Sequence, residues 1–99
     1  MKTLFWNVRG LGNDRTFHVL RSLVQEVTPD IVFLSETISD RFHMEYLRVN
    51  LGFVGKLVVE RRGRSGGLCL FWGPGVDVTL LSYSHYHIDV RVRSMLDKV

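Results

Sequence analysis

Two short apolar runs near the amino terminus flank a segment with helical periodicity. Residues 3–6 and 31–34 are almost continuously apolar, which is typical of strands covered on both faces. Between them, Asn13 or Asp14 can cap a helix. The apolar side chains of that helix recur every three or four residues, at Phe17, Leu20, Leu23, Val24 and Val27. The pattern predicts a strand, a helix that ends at 28–29, and a second strand.

A second helical pattern follows and then gives way to strands. Ser39 is predicted to open this helix and Gly52 to end it. The side chains expected to face inward are Phe42, Tyr46, Leu47 and Val49. The apolar runs that follow, separated by glycine-containing and serine-containing turns, lie at 53–59, 68–72, 76–83 and 88–92. The predicted order is β-α-β-α followed by a meander, in one domain over residues 1–99.

A polar side chain stands at the end of each of the first two strands. Asn7 follows the first apolar run, and Glu36 comes soon after the second. A β-α-β unit normally makes two parallel strands, so both residues are expected at the same edge of the sheet. Amide and carboxylate oxygens at such an edge suit Mg²⁺. Spacing alone leaves open a simpler interpretation, in which Asn7 caps a turn and Glu36 is a solvated residue.

Composition narrows the class of protein. The chain has 99 residues, of which 45% are hydrophobic and 23% charged, as expected for one globular domain. No apolar run approaches the roughly 20 residues of a membrane span, and the apolar run before Asn7 is too short for a signal peptide. Cys69 is the only cysteine, so we expect a buried, unreactive thiol and no intramolecular disulfide. Secretion and membrane insertion are therefore not supported.

One loop concentrates positive charge in a chain whose net charge is +3. The run RRGRSGG, residues 61–67, carries Arg61, Arg62 and Arg64 beside glycines. Glycine-rich turns can aim backbone N–H groups at an anion while arginines neutralise phosphates, so this loop is a candidate contact with nucleic acid. The alternative interpretation is a solvated hairpin turn whose glycines adopt positive φ angles.

The histidines offer a weaker candidate for metal binding. His85 and His87 would point to the same side of a strand, close to Asp89. Because no cysteine or third histidine has matching spacing, we predict structural roles for both. His18 and His43, on the predicted helices, are expected at the surface.

Four segments resemble a known family. They are LFWNVRGLG, PDIVFLSET, GRSGGLCLFW and VTLLSYSHYHIDVRV. The first two together resemble the endonuclease/exonuclease/phosphatase superfamily of DNase I-like proteins. The last two are more similar to one branch of it, the endonuclease module of plant LINE-type non-LTR retrotransposons. The similarity extends from about residue 3 to residue 93.

This resemblance implies a fold, a site and a set of partners. The fold is the N-terminal part of a four-layer α/β sandwich, in which two helices cover one face of a mixed sheet. Asn7 matches the asparagine that positions the scissile phosphate and metal-bound groups, and Glu36 matches a ligand of the catalytic Mg²⁺, with Mn²⁺ as an alternative. The implied partner is DNA, which Arg61, Arg62 and Arg64 of the loop described above are candidates to contact. No membrane and no small-molecule cofactor are expected, and the location would be intracellular and, for a working protein, nuclear.

The sequence also departs from the family pattern. Complete domains are considerably longer and carry an Asp-x-Asn motif and a terminal Ser-Asp-His motif. Asp77, Asp89 and Asp97 have no asparagine two residues later, and no histidine follows an aspartate directly. We therefore expect a truncated domain that lacks its C-terminal catalytic half, leaves apolar surface or strand edges uncovered, and has little or no nuclease activity alone.

Three interpretations of the function follow. The leading one is the N-terminal portion of a Mg²⁺-dependent DNA endonuclease of retroelement origin. One alternative is a non-enzymatic retroelement remnant that at most binds nucleic acid weakly through its arginines. Another is a fragment of a small-molecule or lipid phosphoesterase of the same superfamily, which would share Asn7 and Glu36.

Overall fold

The computed structural model describes residues 1–95, which form six strands and two helices. The strands are β1 (Thr3–Asn7), β2 (Ile31–Ser35), β3 (Gly55–Val59), β4 (Leu68–Trp72), β5 (Val76–Tyr83) and β6 (Ile88–Ser94). The helices are α1 (Asp14–Val27), between β1 and β2, and α2 (Arg41–Leu51), between β2 and β3. The predicted mixed α/β fold is confirmed.

A four-stranded mixed sheet forms the centre of the fold, in the order β1-β2-β4-β3. β1 and β2 are parallel, whereas β4 is antiparallel to both β2 and β3. The two inner strands, β2 and β4, have the sequences IVFLS and LCLFW. Nearly continuous apolar runs are stable there because both faces of an inner strand are covered.

Both helices pack on one face of this sheet, as predicted. Leu20 of α1 and Met44 and Leu47 of α2 are buried against alternate residues of the inner strands, such as Val32 and Phe71. The side chain of Asn13 caps α1 by accepting a hydrogen bond from the Arg15 backbone N–H (2.7 Å). Of the helices in residues 1–95, neither combines the length and hydropathy needed to cross a membrane.

β5 and β6 form a separate two-stranded sheet on the opposite face. Val76 at the start of β5 is buried together with Ile31 of β2 and Leu70 of β4. An apolar groove of about 360 Å³ remains open between β6 and the β1–β2 side of the central sheet. Phe5, which lines this groove, is 71% exposed. The fold thus leaves apolar surface uncovered, as the resemblance implied.

The predicted inward face of α2 is only partly correct, because Leu47 is buried but the other three predicted residues are exposed. Phe42 is 81% exposed and Tyr46 is 61% exposed, and Val49 is exposed too. Met44 points into the core beside Leu47, and Asp40 rather than Ser39 caps the helix. Apolar residues occupy opposite sides of this helix, so its periodicity allows either of two apolar faces to be the buried one.

The start of β3 also differs from its prediction, because residues 53–54 precede the strand. Phe53 is buried beneath α2, and its carbonyl oxygen accepts a hydrogen bond from Arg48 Nη1 (2.8 Å). This segment therefore completes the turn from helix to sheet.

A charged cluster ties α2 to β3. Glu45 accepts hydrogen bonds from Arg48 and from Lys56, which is in β3. Hydrogen bonds from Arg48 and Lys56 lower the pKa of Glu45 from its ordinary value of 4.5 to about 2, and Arg48 has the larger effect. The ionised carboxylate is thus part of the contact between the helix and the edge of the sheet.

Replacement of Glu45 by glutamine is expected to lower the urea midpoint of unfolding at pH 7, because both ion pairs are lost. A folded-state pKa near 2 lies below the ordinary value of 4.5, so ionised Glu45 stabilises the fold above pH 4.5. This contribution is lost as the pH falls from 4.5 to about 2, and the difference between wild-type and Glu45→Gln midpoints should shrink across that range.

Glu26→Gln is the matched control, since Glu26 is exposed on α1 and has no ion pair among the described residues. The urea midpoint of Glu26→Gln should equal that of the wild type at every pH. An equal loss in both variants would show that the Glu45 cluster does not stabilise the fold.

Candidate functional site

The structure brings Asn7 and Glu36 to the same edge of the central sheet. Asn7 ends β1 and lies opposite Ser35, which ends β2, and Glu36 is the next residue. The Val8 backbone N–H donates to the Ser35 carbonyl oxygen (3.0 Å), so the pairing continues beyond the strands. Neighbouring strands lie about 4.8 Å apart, which leaves Asn7 and Glu36 one diagonal step from each other. Both residues are exposed.

The two loops that follow these strands remain hydrogen-bonded to each other. The Gly10 N–H donates to the Glu36 carbonyl oxygen (2.8 Å), and the Leu11 N–H donates to the Thr37 carbonyl oxygen (3.0 Å). Loops at a strand end usually diverge, but here a short ladder holds both chains side by side. The backbone around Glu36 is therefore fixed on the β1 side.

On the other side of Glu36, the backbone of its loop is hydrogen-bonded to the arginine-containing loop before β4. The Thr37 N–H donates to the Gly67 carbonyl oxygen (3.2 Å), and the Ile38 N–H donates to the Gly66 carbonyl oxygen (2.9 Å). Three loops thus meet along one line, with Glu36 on the central one. We call this line the three-loop seam, and it comprises residues 8–11, 36–38 and 66–67.

Three residues of the three-loop seam have unusual backbone conformations. Arg9, Glu36 and Ile38 have φ angles of 52°, 51° and 48°, in the left-handed region that non-glycine residues rarely adopt. Each such residue costs on the order of 1 kcal/mol, which the surrounding hydrogen bonds must offset. Strain of this kind is concentrated at functional sites, so the conformation supports a role for this edge.

Thr37 is the most tightly enclosed residue of the three-loop seam. Its side chain is fully buried, and its Oγ1 atom has no hydrogen-bond partner among the described residues. Gly67 lies against it so closely that an added Cβ atom would be 2.3 Å from Thr37 Oγ1. Only glycine allows the loop before β4 to approach the central loop to this distance.

The predicted hairpin-turn geometry of the arginine-containing loop is present. Arg62 and Ser65 exchange backbone hydrogen bonds of 2.9 and 3.1 Å across a tight turn, and Gly63 has a positive φ of 59°. The side chains of Arg61, Arg62 and Arg64 are exposed and make no ion pair with any residue from 1 to 95. We call residues 61–64 the arginine loop. The turn geometry does not conflict with phosphate binding, because the guanidinium groups remain exposed.

The donor set at this edge fits Mg²⁺ in part. The Glu36 carboxylate forms no ion pair with a described residue, and the Asn7 amide supplies a second hard oxygen ligand. Within residues 1–95, no three His, Cys, Asp or Glu side chains are grouped closely enough to hold a metal ion. Mg²⁺ often binds one or two carboxylates and completes its shell with water and phosphate, so Glu36 and Asn7 are the side chains at this edge that could hold it.

The histidines have structural surroundings. His87, in the turn between β5 and β6, has Nδ1 2.6 Å from Ser84 Oγ and Nε2 3.3 Å from Ser82 Oγ. His18 is exposed, as predicted, but the surface prediction for His43 is wrong. His43 is half-buried, and its Nδ1 atom is 3.1 Å from Ser39 Oγ because that serine precedes α2 and turns back onto its first turn.

Cys69 is buried as predicted, and burial in the apolar core raises the pKa of its thiol well above the ordinary range. The thiol therefore stays neutral and has no role at the three-loop seam.

Sequence reasoning missed Thr37 and the close approach of Gly67. The only signal was the pair of glycines directly before an apolar strand, since glycine at such a position often marks close contact between backbones. Arg9 was likewise not singled out, although its place two residues after Asn7 puts it at the same edge.

The architecture matches part of the DNase I-like α/β sandwich fold. Among solved structures, the catalytic domain of Xenopus laevis APE2, which has this fold, is similar, with a TM-score of 0.52 and 22% sequence identity. The match covers 77% of this chain and 24% of that domain, so the chain spans about a quarter of the structure it resembles. No family model matches the sequence, and neither does any curated protein. The comparison confirms the predicted fold.

Gly67→Ala is expected to destabilise the fold by about 1–3 kcal/mol, because the added methyl group overlaps Thr37 and the residue has a φ of 97°. The backbone amide signals of Thr37 and Ile38 should shift in the NMR spectrum, as their hydrogen bonds to the loop are displaced. Urea unfolding and a two-dimensional amide spectrum measure both effects.

Gly12→Ala is the control, because a Cβ atom there meets no other atom within 4 Å. Its unfolding free energy should stay within about 0.5 kcal/mol of wild type. If Gly67→Ala were equally neutral, the close packing of the three-loop seam would be wrong.

Proposed function

We propose that this chain is part of a metal-dependent phosphodiesterase that cleaves DNA, as the N-terminal portion of an endonuclease. The observation that carries the proposal is the adjacency of Asn7 and Glu36 at the end of two parallel strands, beside the arginine loop. In open α/β sheets, ligands bind outside the carboxyl ends of such strands. Similarity to the APE2 catalytic domain supports the proposal at the level of the fold.

Each candidate residue has a role that its chemistry allows. The Glu36 carboxylate would hold Mg²⁺ or Mn²⁺, and the Asn7 amide would orient the scissile phosphate. When bound, the metal would polarise that phosphate. Arg61, Arg62 and Arg64 would neutralise phosphates further along the DNA backbone.

Hydrolysis needs more groups than these. One group must activate the attacking water, and donors must stabilise the charge that develops on the phosphate oxygens. Glu36 has no partner carboxylate or histidine in a metal-binding group within residues 1–95. We therefore propose that the chain alone has little or no nuclease activity, and that the C-terminal half of a complete domain supplies the remaining groups.

The retroelement origin rests on the segments GRSGGLCLFW and VTLLSYSHYHIDVRV. A LINE-type element acts on chromosomal DNA, so the proposed location is the nucleus. The genomic sequence downstream of codon 99 tests this origin. A continuation with Asp-x-Asn, then Ser-Asp-His, then a reverse transcriptase would support it, and unrelated sequence would count against it.

A fragment that binds nucleic acid without catalysis is the second candidate. The guanidinium groups of the arginine loop favour it, because they are exposed, form no ion pair within residues 1–95, and can bind phosphates without any metal. A fragment of a small-molecule or lipid phosphoesterase would use Asn7 and Glu36 in the same way. It would not need a row of arginines beyond the reacting phosphate.

Paramagnetic line broadening by Mn²⁺ tests the proposed site. We expect Mn²⁺ to broaden the amide signals of residues 7–10 and 36–38 first. A short DNA duplex should lower the Mn²⁺ concentration needed several-fold, because its phosphate oxygens complete the metal shell. Glu36→Gln should abolish both effects, whereas Glu26→Gln should keep them.

The same proteins can be incubated with supercoiled plasmid and Mg²⁺. No nicking above background is expected from the wild type, and nicking that disappears in Glu36→Ala would refute the proposed inactivity. Mn²⁺ broadening that is unchanged in Glu36→Gln would refute the metal site. If the chain binds DNA but Glu36→Gln does not change the Mn²⁺ broadening, the non-catalytic nucleic-acid-binding fragment would be the favoured function.

A further inference from the structure

The hairpin formed by β5 and β6 ends in a tip with two exposed tyrosines. Tyr83 is 65% exposed and Tyr86 is 87% exposed. Both side chains belong to the same short hairpin tip, where exposed aromatic surface is a candidate contact with a partner. Met95 bonds to Gly75 at the other end of the hairpin, so the chain leaves β6 far from these rings.

A β-bulge sets the direction of Tyr83. Along β5, Val78 lies opposite Val92 and packs with it against the central sheet. Leu80 lies opposite Val90, which packs there too, so Leu80 is on the same face. The register shifts between Leu80 and Ser82, so that Tyr83 lies opposite Ile88.

Ile88 shares the inner face with Val90, because alternate residues of a strand point the same way. The bulge therefore turns Tyr83 inward, whereas strict alternation from Leu80 would have turned it outward.

The inward direction brings Tyr83 next to the arginine loop. Tyr83 lines a hollow of about 230 Å³ together with Ile88 and the last residues of β3, Leu57, Val58 and Val59. Arg61 follows Val59 by only two positions, and Glu60 between them is engaged by Arg41 (2.9 Å). Tyr83 and the start of the arginine loop thus lie at the same end of β3.

The turn that carries the rings is held by its own hydrogen bonds. The Ser84 N–H donates to the His87 carbonyl oxygen (2.9 Å), and the Tyr86 N–H donates to Ser84 Oγ (3.0 Å). The His87 ring lies between the hydroxyls of Ser82 and Ser84. A fixed turn presents its rings at low entropic cost, which favours binding.

We propose that Tyr83 and Tyr86 form a stacking platform for unpaired nucleic-acid bases, while the arginine loop binds the phosphates of the same strand. The sequence from Val78 to Ile88 contains no Asp or Glu, so nothing on the tip repels a polyanion. Stacking on tyrosine needs an accessible π-face, which single-stranded or locally opened nucleic acid supplies. This inference rests on nucleic acid being the partner of the proposed function, but it does not depend on a metal.

Fluorescence anisotropy with two labelled oligomers tests the platform. One is an oligothymidine, and the other is an abasic oligomer with the same number of phosphates, both measured in EDTA with the full chain. We expect the wild type to bind oligothymidine about fivefold or more tightly than the abasic oligomer. Tyr83→Ala combined with Tyr86→Ala should remove that preference while leaving affinity for the abasic oligomer unchanged.

Matched variants separate stacking from folding and from charge. Phe42→Ala combined with Tyr46→Ala removes two exposed rings from α2, on the other side of the sheet, and should keep the preference. Tyr83→Phe combined with Tyr86→Phe keeps both π-faces and should also retain it. Arg61→Gln combined with Arg64→Gln should lower the affinity for both oligomers and reduce the salt dependence of binding. The ratio of the two affinities should stay unchanged.

Equal binding of the two oligomers by the wild type would overturn the inference, as would a preference that survives loss of both tyrosine rings. Because EDTA removes metal, failure of the Glu36 site in the Mn²⁺ experiment would leave this result intact. Conversely, Mn²⁺ binding at Glu36 without a preference for oligothymidine would refute the stacking platform but not the proposed function.

Discussion

Hydrogen bonds between β1 and β2 continue past the last residues of both strands and hold the following loops together. The Val8, Gly10 and Leu11 amides bond to the carbonyls of residues 35–37, so Asn7 and Glu36 cannot move apart without breaking this ladder. The loop before β4 joins the same line through Gly66 and Gly67. Every candidate role at this edge depends on that backbone framework, because the exposed side chains have few contacts of their own to position them.

The sequence predicted the parts of this arrangement that local pattern controls. β4 and β5 have the predicted bounds because turns rich in glycine or serine delimit them. Asn7 and Glu36 share an edge because a β-α-β unit makes parallel strands. The three-loop seam was not predictable, since the left-handed conformations of Glu36 and Ile38 are imposed by tertiary hydrogen bonds rather than by residue type. The exposed face of α2 was missed for a different reason: Phe42 and Met44 offer alternative apolar stripes, and only the packed sheet selects between them.

The charged residues near α2 and β3 form ion pairs, whereas those at the candidate site do not form any with residues 1–95. Glu45 of α2 and Glu60, which follows β3, are engaged by arginine or lysine, and Arg48 and Arg41 lower the pKa values of the respective carboxyl groups. Glu36 has no such partner within residues 1–95, and neither do the arginines of the loop beside it. Unpaired charges of opposite sign on adjacent loops suit a ligand that combines a cation with phosphates. The aromatic tip of the hairpin extends the same end of the molecule.

Native-state hydrogen exchange tests most directly whether the three-loop seam is a rigid framework. The Gly10, Leu11 and Ile38 amides lie outside regular strands, yet each has a backbone partner at 2.8 to 3.0 Å. If the seam positions Asn7 and Glu36, these amides should exchange with opening free energies close to those of the inner strand β2. Exchange as fast as that of an unstructured loop would contradict the framework, and with it the positioning of the site.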